Sequence, residues 1–343
     1  MVPGSSCRVL PGQAFRLLAP SLQHCHQNQN NVQFSLGSTI QVGNQVLPGT
    51  RSFDQEYLKL LQKIDRDGVL QMNKKGSSKT LRDSHTLVVD LSCNDFHKNI
   101  LPVTTLRKMY GGHMAIFEAL WYIRGEEHIG FLQHHGCKFW DAQAQDGGFV
   151  GLSYGLLTNF PCGNTGYSTN QLLDKVILPL CKKESSSRNL VCLLSKPGEI
   201  TVQEACTTSV QFAVAKGTNE YLDITINQRS SDVILGLPHD VVVWSVILHL
   251  VRREVWLRSG RKLAAGKLHF SISAGGAHVY TINQRNHVNL MKREPYRGLQ
   301  PHMVVNVKDN TDIFSLAKNY QKEQLLVEGY TEYHDAMKIE QAL

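Results

Sequence analysis

The sequence predicts an α+β protein built around a sheet, on three observations. Helical spacing and strict strand-like alternation of apolar residues both recur after residue 54. No segment repeats another, and no Gly/Pro-rich linker interrupts residues 54–343. Hydrophobic residues make up 42% of the 343, enough to bury a substantial core.

Taken in order, residues 1–53 stand apart. They hold Arg8, Arg16 and Arg51 but no acidic residue, and 24–31 is polar and low in complexity. This stretch is expected to be an N-terminal extension, with an organelle transit peptide as the alternative. From Asp54 onward, Tyr57, Leu60, Leu61 and Ile64 share one helical face, and Leu87–Leu91 reads as a strand. Met114–Ile123 predicts a helix stopped by Gly125 at its C-terminus. Arg188–Leu194, Ser209–Ala215 and Leu268–Ser273 read as strands. Glu220–Gln228 sets Leu222, Ile224 and Ile226 against Asp223, Thr225 and Asn227, which is strand alternation. Val241–Val251 is apolar all round and predicts a buried helix.

Composition narrows the function. The charge of +7 is scattered in pairs such as Lys74-Lys75, Lys182-Lys183 and Arg252-Arg253. That pattern argues against nucleic acid and suits a small anionic ligand. No apolar run approaches the ~20 residues of a membrane span. The cysteines form no CxxC pair, so neither a metal site nor a disulfide framework is expected. The expected compartment is the cytoplasm, with the mitochondrion as the alternative that the acid-free leader raises.

One cysteine has informative surroundings. Ala205-Cys206-Thr207-Thr208-Ser209 leads into a strand, and about twenty residues later comes Asn227-Gln228-Arg229-Ser230-Ser231-Asp232. An Arg with two serines at a strand end makes an oxyanion site. A cation there would lower the Cys206 pKa toward the thiolate.

At these residues the sequence resembles the thymidylate synthase and nucleotide hydroxymethylase family. Gln228–Pro238 (QRSSDVILGLP) is similar to that family's QRS-x-D-x-x-LG-x-P block. Leu101–Thr105, Phe117–Tyr122, Phe139–Asp141, Gly151–Gly155, Gly275–Tyr280 and Glu328–Tyr330 match further family segments in the same order. The resemblance implies a large mixed sheet covered by helices, dimerising through the sheet. It also implies a pyrimidine nucleoside monophosphate and 5,10-methylenetetrahydrofolate as ligands. Cys206 would add to C6 of the pyrimidine. Glu118 would handle protons, its pKa raised by burial, and Tyr154 would join the catalytic group. Arg229, Ser230, Gln228 and Lys74 would bind the nucleotide, with Arg188 reaching in from a partner subunit. His278 and Tyr280 would hold the sugar, while Asp232, Trp140 and Gly236 would hold the folate.

Three departures from thymidylate synthases bear on the outcome. His239-Asp240 stands where synthases have Phe-Asn. A carboxyl accepts from a cytosine 4-amino group and, when protonated, donates to N3, so Asp240 predicts a cytosine base. Thr207 replaces the His that follows the nucleophile, which resembles the phage deoxycytidylate hydroxymethylases, and Gln203 offers a polar wall for an attacking water. Finally, Asn73-Lys74-Lys75-Gly76 and Ser187-Arg188-Asn189 carry fewer arginines than the family's phosphate site. The expected activity is therefore 5-hydroxymethylation of dCMP in preference to CMP. The alternatives are a thymidylate synthase acting on dUMP and a weakly catalytic paralogue that binds nucleotide or RNA.

Overall fold

Helix α1 (Phe53–Asp67) forms because Tyr57, Leu60, Leu61 and Ile64 bury one face, with Asp54 and Glu56 at its positive end. It starts one residue before the expected Asp54, because Phe53 is buried and stacks on Tyr57 at 5.4 Å. Its Asp54 carboxylate accepts hydrogen bonds from the hydroxyls of Thr104 and Thr105, so that Thr-Thr pair anchors the helix start. The computed structural model describes residues 53–93, 95–109, 112–150, 154–162, 166–182, 188–195, 205–217, 219–296, 301–308 and 310–341. All of them belong to one compact unit, Leu47–Leu343. The leader 1–52, Gly151–Ser153, Ser187 and Gln203 lie outside the described residues.

After α1 come the hairpin β1 (Val69–Asn73) and β2 (Gly76–Thr80), then β3 (His85–Asp90), β4 (Asn99–Ile100), α2 (His113–Arg124) and α3 (Gly130–His134). A small ribbon, β5 (Phe160–Pro161) and β6 (Ser168–Thr169), precedes a π-helical stretch, Leu172–Ile177, that runs into α4 (Leu178–Cys181). The middle of the chain supplies β7 (Val191–Leu193), β8 (Thr207–Lys216), β9 (Glu220–Gln228), β10 (Ser231–Asp232) and α5 (Leu237–Ser259). The chain continues with β11 (Ala264–Ile272), β12 (Ala277–Tyr280), α6 (Gln284–Met291), β13 (His302–Val305), α7 (Ile313–Lys318) and β14 (Leu325–Glu328).

The central sheet has the order β3-β11-β9-β8-β7 and is mixed: β9 runs parallel to β11 and antiparallel to β8. Leu222, Ile224 and Ile226 face inward with Val210, Phe212, Leu268 and Phe270, all fully buried. Asp223, Thr225 and Asn227 face the other way and are half-buried. Helix α5 packs over the inner face against β9 and β11, with α2 beside it. Val241–Val251 is buried on every side, as its unbroken apolar run requires. Gly125 ends α2 in the left-handed conformation, φ 70°, which a residue without a Cβ adopts freely.

Strand limits shift where local bonding competes. The expected strand at 188–194 shortens to β7, because Val191 N–H donates to Asn189 O and turns the chain there. At the other end of the β8–β9 pair, a bulge between Thr207 and Ser209 breaks the register beside Cys206. A bulge re-aims the adjacent side chains, and here it lies at the nucleophile. A second sheet, ordered β1-β2-β12-β10, carries the Lys74-Lys75 hairpin tip alongside β12. Among the described residues, no helix is long and apolar enough to cross a membrane.

Candidate active site

Three elements meet at the site: the turn before β8, the β9–β10–α5 connection, and the inner face of α2. Cys206 sits at the start of β8, with its carbonyl accepting from Arg229 N–H at 2.9 Å. Arg229 Nε donates to Ala205 O at 3.0 Å, so the guanidinium also braces the turn that presents the thiol. Tyr154 hydroxyl accepts Thr207 N–H at 3.2 Å and its ring stacks on Tyr122 at 4.2 Å. Cys206 and Tyr154 open onto a cavity of about 170 Å³, which Glu118, Trp140, Asp232 and Asp240 also line.

Glu118 carries the densest bonding. It is 4% exposed, so each oxygen must be satisfied inside the protein. Oε1 accepts from Tyr122 hydroxyl and Trp140 Nε1, each at 2.9 Å. Oε2 meets His239 Nε2 at 2.5 Å. Burial alone pushes this carboxyl up, but the His239 ring and the three donors outweigh it and hold the pKa below its ordinary value. The expectation of a raised Glu118 pKa is therefore corrected. Its α2 neighbours explain the burial, and a partner 121 residues away explains the sign.

Asp240 behaves in the opposite way. It is the next residue along α5, and Gln228 Nε2 donates to its Oδ2 at 2.7 Å. Desolvation and then the Glu118 charge raise its pKa to about 7, with the Gln228 bond pulling weakly against them. Two carboxyls in one pocket have split, one kept ionised and one able to hold a proton near neutrality.

The thiol is also corrected. Burial raises the Cys206 pKa, Asp240 raises it further, and Arg229 and Lys75 oppose without prevailing. Lys75, half-buried, is the hairpin cation that acts on the thiol, whereas Lys74 at the tip is exposed.

The remaining candidates separate into two groups. Asp232 Oδ1 accepts Ile234 and Leu235 N–H at 3.0 and 3.1 Å and shapes the turn into α5. Ser230 and Gly236 line the cavity with it. β10 pairs in register with β12, which places Asp232 beside His278. Tyr280 crosses the His278 ring at 4.8 Å and bonds the Asn73 side chain at the hairpin. Arg188 is exposed ahead of β7 and is absent from the described lining of this cavity.

Buried polar atoms without partners mark where a ligand or water fits. Among the described residues, Thr207 Oγ1, Gln228 Oε1 and Ser231 Oγ are such orphans. Thr207 and Gln228 are cross-strand neighbours at the bulge beside the nucleophile.

Against known proteins, the sequence pattern described as thymidylate synthase matches residues 55–343. The chain belongs to the thymidylate synthase family. Thymidylate synthases from three strains of Coxiella burnetii (Dugway 5J108-111, RSA 331 and RSA 493) are each 28% identical to it over 257 residues, covering 74% of this chain and 88% of the relative. Membership makes it a one-carbon transferase whose family co-substrate is 5,10-methylenetetrahydrofolate. The site fits that co-substrate: Trp140 and Phe139 give flat walls to the cavity, and Asp232 gives an acceptor at its edge.

Sequence reasoning missed His239 as a functional group, Trp140 as a donor to Glu118, and Lys75 as the cation near the thiol. The one available signal was a histidine where synthases carry Phe. Its contact with Glu118 spans helices α2 and α5, which no local pattern reports.

Proposed function

We propose that the protein is a deoxycytidylate 5-hydroxymethyltransferase, acting on dCMP in preference to CMP. The observation that carries this reading is the Asp240 carboxyl, held by Gln228 in the cavity of Cys206 with a pKa of about 7. At neutral pH it can accept from the cytosine 4-amino group while donating to N3. Protonated Asp240 also loses the negative charge that opposes the thiolate, so engaging cytosine would favour ionisation of Cys206.

Cys206 then adds to C6, and C5 becomes the nucleophilic carbon. Bound 5,10-methylenetetrahydrofolate, held by Asp232, Trp140 and Gly236, would supply the one-carbon unit to C5. Loss of the C5 proton to a water in the cavity and departure of tetrahydrofolate as the free amine would then leave a methylene group on C5. Glu118 and His239 together form a proton-accepting couple on the cavity wall. A water activated there would add to the methylene carbon on C5 and leave its proton on the couple. The electron pair at C5 then expels the Cys206 thiolate from C6, giving the 5-hydroxymethyl product without any redox step.

Arg229, Ser230 and Lys74 serve the phosphate end, with Arg188 contributed by a second copy docked on the polar face of the central sheet. The catalytic domain is residues 54–343, and 1–53 is an extension to it. The relatives named thymidylate synthase favour a second reading, methylation of dUMP. Tritium release from C5 of labelled dCMP, CMP and dUMP, with the folate product identified, separates the two. Turnover of dCMP with tetrahydrofolate released is expected. Turnover confined to dUMP, with dihydrofolate formed, overturns the proposal.

A further inference from the structure

A second cavity lies away from this chemistry. It holds about 660 Å³, within the range of small-molecule sites, and is walled by the C-terminal half of α5, the segment 95–99 and β13. Arg252 lines it while being only 2% exposed. Its Nε donates to Leu263 O at 2.7 Å, one terminal nitrogen to Phe96 O at 3.0 Å, and the other to His249 Nδ1 at 3.0 Å. All three partners are uncharged acceptors. Nε2 of His249 is engaged at Ile100 O, and burial together with the Arg252 charge takes the His249 pKa down to about 3. Among the described residues no carboxylate reaches Arg252, and burial pulls its pKa down to about 10.

A buried cation without a counter-ion is costly, and proteins retain one where something supplies the negative charge. The surroundings say what kind of partner fits. Lys98 and Arg253 add positive charge to the lining, whereas Asp95 is its one described carboxylate. Asp95 already accepts His97 N–H at 2.9 Å. Phe96 and Trp256 bring aromatic rings to the same wall, and the Arg252 guanidinium lies 5.1 Å from the Phe96 ring centre.

We propose that this cavity binds a small organic anion, a carboxylate or phosphate carried on a flat ring, with the charge on Arg252 and Lys98 and the ring against Phe96 and Trp256. The site is independent of the nucleotide cavity and of the activity proposed for it.

Titration calorimetry of the full chain with benzoate and phenyl phosphate tests this, with inorganic phosphate and benzamide as the charge-only and ring-only controls. At least one ring anion is expected to bind one to one, more tightly than either control, and to remain bound when dCMP is present. Lys98→Glu, at the cavity lining, should weaken it about tenfold or more, and Arg252→Met should do the same. Lys98→Glu keeps the test informative if Arg252→Met fails to fold. The proposal is overturned if neither ring anion binds, if a control binds as well, if dCMP displaces the anion, or if Lys98→Glu leaves affinity unchanged.

Discussion

The wall proposed to read the base and the proposed phosphate end are built on opposite principles. At the wall, Glu118 and His239 are buried, Asp240 is half-buried beside them, and each sits on a packed helix tied to a named partner. At the phosphate end, Lys74 caps a hairpin, Arg229 is exposed at a strand end, and Arg188 is exposed ahead of β7. Charges in a desolvated pocket interact strongly and set each other's protonation, whereas exposed charges are screened within about 10 Å at ordinary salt. On the proposed reading, discrimination falls to the buried half, and the exposed half attracts an anion, a task that tolerates Lys in place of Arg.

The most severe break in this contrast is Cys206→Ser, which should reduce turnover on the order of 10⁴-fold or more and abolish C5 tritium release. Next, Asp240→Asn should exchange the base read by the wall. The ratio of kcat/KM for dCMP over dUMP is expected to fall on the order of 10³ to 10⁴-fold. His239→Phe should cost about 10²-fold in hydroxymethyl product while sparing more of the C5 tritium release. It also removes the group that keeps the Glu118 pKa low, so the acid limb of the kcat profile should move to higher pH.

Protonation offers a milder probe of the same wall. Asp240 has a folded pKa of about 7 against an ordinary 3.8, so the folded state holds this proton where the unfolded chain has lost it. Its cost to stability therefore grows as pH rises from about 4 through about 7. Asp240→Asn should raise Tm relative to the parent at pH 8 and leave it unchanged near pH 4. For the same reason KM for dCMP should climb above pH 7. The smallest effect belongs to the exposed half. Lys74→Ala should raise KM roughly two- to fivefold at low salt and progressively less as salt is added.

Much of this was legible because it is contiguous. Gln228 to Pro238 runs from the end of β9 through β10 into α5, so one stretch of sequence carries the residues proposed for the phosphate and the folate and the approach to Asp240. The β9 alternation and the buried α5 run were readable for the same reason, since their burial follows a short period. The misreadings at Glu118 and Cys206 concern sign and not location. Glu118 and Cys206 were expected where they stand, but their pKa shifts run opposite to expectation. His239 arrives from another helix to hold Glu118 ionised, and Asp240 adds a negative charge beside the thiol. The edge strand at 188–194 was overdrawn because a local Asn189–Val191 bond replaces ladder pairing.

Left to itself, the sequence determined the α+β class, the order of the elements, the family and the identities of the groups around Cys206. These depend on periodicity and on motifs carried within single segments. The tertiary structure decided which carboxyl is ionised, which lysine the thiol senses, and that a buried arginine faces a second cavity. Each of these depends on distance and solvent exclusion between segments far apart in the chain, and Coulomb energy varies with both.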